Sequence, residues 1–229
     1  MTAQLRLLTL AALLAFLPGC TAAWIPDWAY WDPWWEPNEP FETPIVRIEK
    51  LQALRDGVDE LNVQQRQVRA EHLAHDFANE KDPLVREEIV RTLAACGTPP
   101  AGPPLRMALQ DDDKFVRIAA CRAFGGFGGE EGIRALSLAL QDKDRDVKLA
   151  ALLALGEVND PAAVQVLAEA LHERDAAIQQ RAMRSMESIT GKYYGNDANA
   201  WAQYARGNPP AEQQRSLAEL IGVDPLWFR

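Results

Sequence analysis

The sequence predicts an all-α protein, an α-solenoid in which short helix pairs stack one on the next. Three observations lead to this fold class. A short pattern of acidic and apolar residues recurs at a fixed interval of 31 residues. Apolar residues within each unit repeat at the spacing of one helix face. A single pair of such helices cannot bury its own apolar face, and stacking supplies the missing contacts.

The composition is that of an ordinary globular protein, and it excludes two classes. The chain has 229 residues, 48% of them hydrophobic and 25% charged. Its formal charge of −9 argues against a nucleic-acid binder, which needs a basic face to displace counterions from phosphates. Three cysteines are too few for a disulfide scaffold. Cys96 and Cys121 are interpreted as buried small apolar residues, with a disulfide between them as the alternative in an oxidising envelope.

Residues 1–19 are predicted to be a signal peptide. Arg6 is the only charged residue before residue 27, and an apolar run follows it from Leu7 to Leu17. A membrane helix needs about 20 apolar residues, so this run is too short to span a bilayer, but it suits a signal peptide.

The four residues Leu17-Pro18-Gly19-Cys20 resemble the lipobox of bacterial lipoproteins, with a small residue just before the cysteine. The resemblance implies cleavage after Gly19 and a diacylglycerol group on the Cys20 thiol, with a fatty acyl group such as palmitate on its amine. Two or three acyl chains anchor a protein stably where one does not. The alternative is an ordinary cleaved signal peptide with an incidental cysteine.

Thr21 bears on where such a lipoprotein resides. In the enterobacterial sorting rule, an Asp directly after the lipidated cysteine retains the protein in the inner membrane. Because Thr21 stands at this position, the resemblance implies a lipid-anchored protein of the cell envelope, in the outer membrane and facing the periplasm. Its contact with the membrane is the lipidated Cys20.

Residues 20–43 are predicted to be the lipidated cysteine followed by an extended, acidic tether. Prolines at the density found here prevent helices and sheets. Five acidic residues without a basic one extend the segment further, and it contains Trp24, Trp28, Trp31, Trp34 and Trp35. Three interpretations stay open: the Trp side chains lie among the lipid headgroups, they pack on the folded domain or on a partner, or the segment is a spacer.

Residues 82–190 are predicted to form the helical repeats. Consecutive copies of the pattern are each 31 residues apart, and they are Asp82-Pro83-Leu84-Val85-Arg86, Asp113-Lys114-Phe115-Val116-Arg117, Asp144-Arg145-Asp146-Val147-Lys148 and a weaker Asp175-Ala176-Ala177-Ile178-Gln179. The first helix of each unit is expected to break near Gly97, Gly125 or Gly156. A second helix follows, as in residues 161–171, where a proline suits the first turn.

Two further segments flank the repeats. Residues 44–81 are predicted to be an N-terminal cap made of one helix pair, Ile45 to Gly57 and Val58 to Asn79. Residues 191–229 are predicted to be a C-terminal cap, because the end of a stack must be covered. The aromatic residues expected to cover it are Trp201, Tyr204, Trp227 and Phe228.

The pattern Asp-x-x-Val-Arg, an Ala-rich helix ending in Leu-Gly, then Pro-x-x-Val-x-x-Leu-x-x-Ala-Leu resembles HEAT repeats. It is most similar to the short HEAT-like repeats first noticed in phycobilisome lyase subunits, and the unit at residues 144–173 carries it most fully. The resemblance implies that the first helix of each unit lines the concave surface of the stack. It also implies that Arg86, Arg117 and Lys148 form a ladder of side-chain bonds between adjacent units.

No arrangement of residues points to catalysis or to a bound metal. His72 and His75 lie three apart on a predicted helix, but neither a third ligand nor a His-Glu-x-x-His pattern accompanies them. Residues 142–146 begin like a calcium loop but lack its glycine and its final glutamate. The glycines of residues 125–129 end a helix instead of following a strand. We therefore expect no catalytic residue, no metal and no cofactor.

Outward positions of the first helices form the candidate functional site. Equivalent positions carry apolar residues and, in an acidic protein, arginines; the candidate protein-binding residues are Phe115, Ile118, Leu149, Leu153, Arg91, Arg122 and Arg184. An exposed apolar patch with arginines at its rim marks an interaction surface. The alternative is that neighbouring repeats or the tail bury the apolar residues.

Together these features predict a membrane-anchored scaffold, not an enzyme, that holds a protein or peptide partner in a concave groove on the envelope side of the membrane. Two other functions stay open. One is a subunit of a bilin lyase-like or other modifying enzyme, by analogy of fold alone. The other is a purely structural component of the envelope.

Overall fold

The computed structural model describes residues 42–213, and this part of the chain is helical. Its helices are α1 Pro44–Asp56, α2 Val63–Asn79, α3 Pro83–Cys96, α4 Gly102–Ala108, α5 Lys114–Phe127, α6 Gly129–Ala139, α7 Arg145–Glu157, α8 Ala163–Ala170, α9 Ala176–Thr190 and α10 Ala198–Ala205. Two short 3-10 segments, Val58–Glu60 and Pro99–Ala101, accompany them. The predicted signal peptide, Cys20, the Trp-rich segment, Trp227 and Phe228 lie outside the described residues.

The helices form two layers. The odd-numbered helices, α1 to α9, pack side by side in chain order as a first layer, and the even-numbered helices form a second layer. Neighbours in the first layer contact each other more extensively than neighbours in the second layer do. The inner side of a curved stack requires this closer packing, and the predicted α-solenoid of helix pairs is confirmed.

The core lies between the layers and between successive repeats. Apolar side chains at the 31-residue interval are buried in equivalent places, and they are Val85, Val116, Val147 and Ile178, then Leu93, Phe124, Leu155 and Met186. Each repeat therefore shares its core with the next one, as a solenoid requires.

The recurring aspartates begin the first-layer helices. Asp82, Asp113, Asp144 and Asp175 are the N-cap residues of α3, α5, α7 and α9. Each carboxylate accepts a hydrogen bond, at 2.8–2.9 Å, from the backbone amide two residues further on. An N-cap satisfies one of the amides that the first helical turn leaves without a partner. The aspartates recur because the helix starts recur.

Two of these helices end later than the sequence predicts. Of the three glycines expected to end a helix, Gly97 does so, while Gly125 and Gly156 lie inside α5 and α7. The backbone turns instead at Gly97, Gly128 and Asn159, with φ of 60°, 65° and 52°. These residues are again 31 apart, and they are of the two types that accept positive φ most readily.

Gly125 and Gly156 have a different role, which is to let neighbouring first-layer helices approach closely. A Cβ atom on Gly125 would lie 3.0 Å from the Cβ of Ala154, and one on Gly156 would lie 2.9 Å from the Cβ of Ser185. The prediction that these two glycines break the helix was wrong, because helix-to-helix packing explains them.

The N-terminal pair also differs from the prediction at one boundary. Its second helix begins at Val63, not at Val58, because the Asn62 side chain caps it. The side-chain oxygen of Asn62, Oδ1, accepts a hydrogen bond from the Gln65 backbone N–H at 2.9 Å, and Gln65 Oε1 accepts one from the Asn62 backbone N–H at 3.0 Å. This reciprocal pair is a capping box, and it fixes the start of the helix.

An aromatic cluster closes the last repeat within the described residues. Trp201 is buried, its ring centroid lies 5.0 Å from that of Tyr194 and 6.0 Å from that of Tyr204, and its Nε1 donates to the Gly195 carbonyl at 3.3 Å. Trp201 lies on α10, which packs against α8 and α9, so burial of the indole with its donor satisfied suits a residue that covers the apolar end of that helix pair.

Candidate binding face

The recurring basic residues lie in the turns between repeats, where they form the predicted ladder. Arg86 donates from Nε and Nη2 to the two carboxylate oxygens of Asp111, both at 2.8 Å. Arg117 bonds Asp142 in the same way, at 2.8 and 3.1 Å. Lys148 donates to Glu173 at 3.1 Å. Each side chain thus links the start of its own helix to the turn before the next first-layer helix, and the ladder is confirmed.

Each arginine of the ladder also binds its own turn. Arg86 Nη1 donates to the Lys81 carbonyl at 2.8 Å, and Arg117 Nη1 donates to the carbonyls of Asp111 and Asp112 at 2.8 and 3.0 Å. The ladder therefore satisfies backbone groups at the ends of the second-layer helices. The role of the ladder is structural. It leaves the outward face of the first layer, meaning the face turned away from the second layer, for other contacts.

The ladder affects the titration of Asp111. Burial alone would raise the pKa of this carboxyl, but hydrogen bonds from Arg86 and from the Asp113 amide outweigh burial and hold the pKa below its ordinary value. The same bond to Asp111 raises the pKa of Arg86. This rung is accordingly an ion pair in the folded protein.

Apolar residues project from the outward face of the first layer. Leu84, Phe115 and Leu153 are 59%, 52% and 39% exposed. Ile118 and Leu149 are half-buried and pack against the core between neighbouring helices. The four apolar candidates and Leu84 thus divide into three projecting side chains and two that form the floor between them.

The three candidate arginines differ in their partners. Arg91 pairs with Glu87 and, at 3.4 Å, with Glu88. Glu88 is buried and also pairs with Arg55 of α1. Arg122 and Arg184 are exposed, and neither has a hydrogen bond or an ion pair within residues 42–213.

A groove between α3 and α5 brings two of these arginines together. It has a volume of about 430 Å³ and is lined by Arg91, Arg122, Phe127, Ala94, Ala119, Ala123, Gly97 and Gly126. Arg184 and Leu153 do not line it. The sequence analysis did not single out Phe127 or Gly126 for this site. Helical spacing could have identified Gly126, because it follows Arg122 by four residues and so lies on the same helix face.

The other candidate sites have ordinary surroundings in this part of the chain. His72 and His75 are exposed, and across residues 42–213 no group of three His, Cys, Asp or Glu side chains is placed to hold a metal ion. Cys96 and Cys121 are buried free thiols, and burial raises the pKa of Cys121 to about 12. Of the helices between residues 42 and 213, none is both long and apolar enough to cross a bilayer.

The geometry defines a class, the helical repeat proteins whose stacked pairs present one grooved face. The sequence model of HEAT repeats matches residues 42–123 and again residues 107–187. The chain belongs to the HEAT-repeat family, as predicted, and the first match includes the N-terminal pair. A comparison with curated proteins found no match.

Solved structures give weaker similarities. An engineered protein is 20% identical, with a TM-score of 0.46, over 73% of this chain and 81% of its own. The complex of CpcE and CpcF of phycocyanin lyase from Nostoc sp. PCC7120 is 21% identical, with a TM-score of 0.48, over 75% and 77%. Human deoxyhypusine hydroxylase in complex with glycerol is 19% identical, with a TM-score of 0.37, over 75% and 76%. Because all three TM-scores are below 0.5, the family assignment rests on the sequence match.

Proposed function

We propose that this protein is a lipid-anchored HEAT-repeat scaffold of the cell envelope, without catalytic activity, that holds a protein partner on the outward face of its first layer. The observation that supports the proposal is the projection of Leu84, Phe115 and Leu153 from that face beside the arginines of the groove. Interfaces are enriched in aromatic residues and arginine at their centres, which is the chemistry found here.

The spacing of the projecting residues favours one continuous contact. Leu84 and Phe115 occupy equivalent positions of consecutive repeats, and so do Arg122 and Leu153. One pair of side chains therefore spans α3 and α5, and the other pair spans α5 and α7. Full burial of a large apolar side chain contributes about 1.5–3 kcal/mol, so covering half-exposed Phe115 and Leu153 would provide a substantial part of a binding energy.

A double substitution on this face tests the proposal. The full-length lipoprotein is crosslinked in its own membranes and affinity-captured, as wild type and as Phe115→Glu with Leu153→Glu. Charges at these positions should keep the helix content, measured by circular dichroism, and remove the captured partner, because the carboxylates would have to be buried unpaired.

Met107 and Leu138 supply the matched control. Both are exposed apolar residues at equivalent positions of consecutive repeats, but they lie on the second layer. Met107→Glu with Leu138→Glu should retain the partner. Loss of the partner in both double variants, or in neither, would contradict the assignment of the face. Self-crosslinks alone would favour a structural component of the envelope.

The lipid anchor is tested separately. Labelling cells with a radioactive palmitate should label the wild-type protein and not a Cys20→Ser variant, because the thiol is the attachment point that the lipobox specifies. Membrane fractionation should then place the labelled protein in the outer membrane. An unlabelled protein, or one that fractionates with the cytoplasm, would refute the anchored part of the proposal.

A further inference from the structure

We infer that the groove between α3 and α5 binds an acidic side chain of the partner polypeptide, with the Arg122 guanidinium on the carboxylate and the Phe127 ring against the neighbouring residue. The inference rests on the proposed function and adds to it the chemistry of the partner. Three properties of the groove support it: an unbalanced positive charge, a floor of small residues, and an exposed aromatic ring at one side.

The unbalanced charge is that of Arg122. On a helix, residues three or four positions apart are neighbours that can pair. Arg91 has Glu87 and Glu88 at these positions and pairs with both. Arg122 has only Ile118, Ala119, Gly125 and Gly126 at the corresponding positions, so its own helix offers no carboxylate.

A carboxylate is the natural partner of such a group. The guanidinium is planar, remains charged at every physiological pH and donates two parallel hydrogen bonds to a carboxylate. The net charge of the chain, −9, opposes the approach of a long polyanion such as a nucleic acid. A single carboxylate on an otherwise neutral segment meets Arg122 without that general repulsion.

The floor of the groove lets a polypeptide approach closely. It consists of Ala94, Ala119, Ala123, Gly97 and Gly126, and even a Cβ atom added to Gly126 would meet nothing within 4 Å. The ring of Phe127 is exposed beside this floor. The volume of about 430 Å³ falls in the range of about 300–1,000 Å³ typical of ligand sites. The groove therefore has room for an acidic side chain and an apolar neighbour.

A random-peptide phage library, panned against the full mature lipoprotein in detergent, tests the inference. Displayed peptides have no free C-terminus, so the selection reports on side-chain carboxylates alone. Selection with wild type should enrich Asp or Glu at one fixed position beside an apolar residue. A selected peptide should bind at least about tenfold more weakly when its acidic residue becomes the amide, a change of about 1.4 kcal/mol.

Matched variants assign the effect to the groove. Arg122→Glu should abolish binding of the selected peptide, and Arg122→Lys should weaken it, because an ammonium cannot form the two parallel bonds. Arg184→Glu reverses the charge of the other candidate arginine that is exposed and has no ion pair within residues 42–213; it lies outside the groove, and its reversal should leave binding unchanged. Both positions are solvent-exposed, and circular dichroism checks that the fold is retained.

Several outcomes would overturn the inference. These are a selection without acidic enrichment, equal binding by wild type and Arg122→Glu, or equal loss with Arg184→Glu. Peptide binding that appears only after the acidic residues of the N-terminal segment are neutralised would assign the groove to the chain's own Asp27, Asp32, Glu36 and Glu39. Capture of the membrane partner by Arg122→Glu but not by Phe115→Glu with Leu153→Glu would leave the proposed function standing and remove this inference.

Discussion

The ladder of turn residues gives the sharpest test of how the fold is stabilised, through Arg117→Ala. The Arg117 side chain is only 5% exposed, and it donates two bonds to Asp142, whose side chain is 12% exposed, and two bonds to backbone carbonyls. Removing one member of a buried ion pair costs about 3–5 kcal/mol, because the other charge stays behind without a partner. Asp142 keeps some contact with water, so we expect a loss of about 3 kcal/mol in the free energy of unfolding.

Lys148→Ala is the matched control at the equivalent position of the next repeat. Lys148 makes one side-chain bond, to Glu173, and the two side chains are 22% and 41% exposed. Exposed ion pairs contribute about 0–1 kcal/mol. The two substitutions thus remove equivalent rungs of neighbouring repeats that differ in burial. Burial should therefore decide how much unfolding free energy each substitution removes.

Urea unfolding of a Cys20→Ser form without residues 1–19, followed by circular dichroism, measures both variants. With an m value of about 2 kcal/mol/M, Arg117→Ala should lower the midpoint by about 1.5 M and Lys148→Ala by less than about 0.5 M. A cycle that includes Asp142→Asn isolates the coupling between the two side chains. Equal losses for the two variants, or a loss below about 1 kcal/mol for Arg117→Ala, would refute the reasoning from burial.

Three more predictions follow from packing and titration. Gly156→Ala places a Cβ atom 2.9 Å from Ser185 and should destabilise the protein by roughly 1–3 kcal/mol in urea unfolding. Gly126→Ala, which meets nothing within 4 Å, should be neutral or stabilising by up to about 1 kcal/mol. A Gly156→Ala protein as stable as Gly126→Ala would contradict the close approach of α7 and α9. The pKa of Asp111 lies below its ordinary 3.8 in the folded protein, so its contribution to stability is complete above that pH and is lost as the pH falls through the lower folded value. The free energy of unfolding at pH 7 should therefore be larger for wild type than for Asp111→Asn, and this difference should shrink below pH 3.8. A difference that does not depend on pH would count against the ion pair. Burial raises the pKa of the Cys121 thiol to about 12 and also raises the pKa of the Cys96 thiol. A Cys20→Ser form should therefore not react with a thiol reagent such as DTNB until it is denatured. Fast reaction of the native protein would exclude this burial.

The repeat architecture could be predicted from the sequence because one interval governs several physical requirements at once. The N-cap aspartates, the buried row from Val85 to Ile178 and the basic rungs all recur every 31 residues. The helix ends were harder to predict. A glycine near the end of an apolar run reads as a stop, but Gly125 and Gly156 are needed for the approach of a neighbouring helix, which only the three-dimensional structure shows. The residues where the backbone turns after each helix, Gly97, Gly128 and Asn159, have the same interval and could have been found by it.

The candidate site was predicted less completely. The sequence identified Arg91 and Arg122 as equivalent positions, and the structure places both in one groove. The sequence shows that Arg122 has no acidic residue three or four positions away. It could not show that Glu87 and Glu88 pair with Arg91, since pairing depends on side-chain geometry. It also could not separate Ile118 and Leu149, which are half-buried, from Phe115 and Leu153, which project, because all four occupy outward helix positions and only the neighbouring helix determines the exposure.

The rungs of the ladder have fewer bonds toward the C-terminus, so the two ends of the stack should differ in how readily they open. Arg86 and Arg117 make paired bonds to the following turn, Lys148 makes one, and Gln179 at the fourth position bonds only carbonyls of its own turn. In a stack where each unit is held mainly by its neighbours, opening begins where those links are fewest. The Arg145–Asp175 ion pair adds a second link between α7 and the turn before α9, so fraying should start beyond α9, where Gln179 bonds only its own turn, while α3 and α5 beside the groove stay joined by the paired bonds of Arg86.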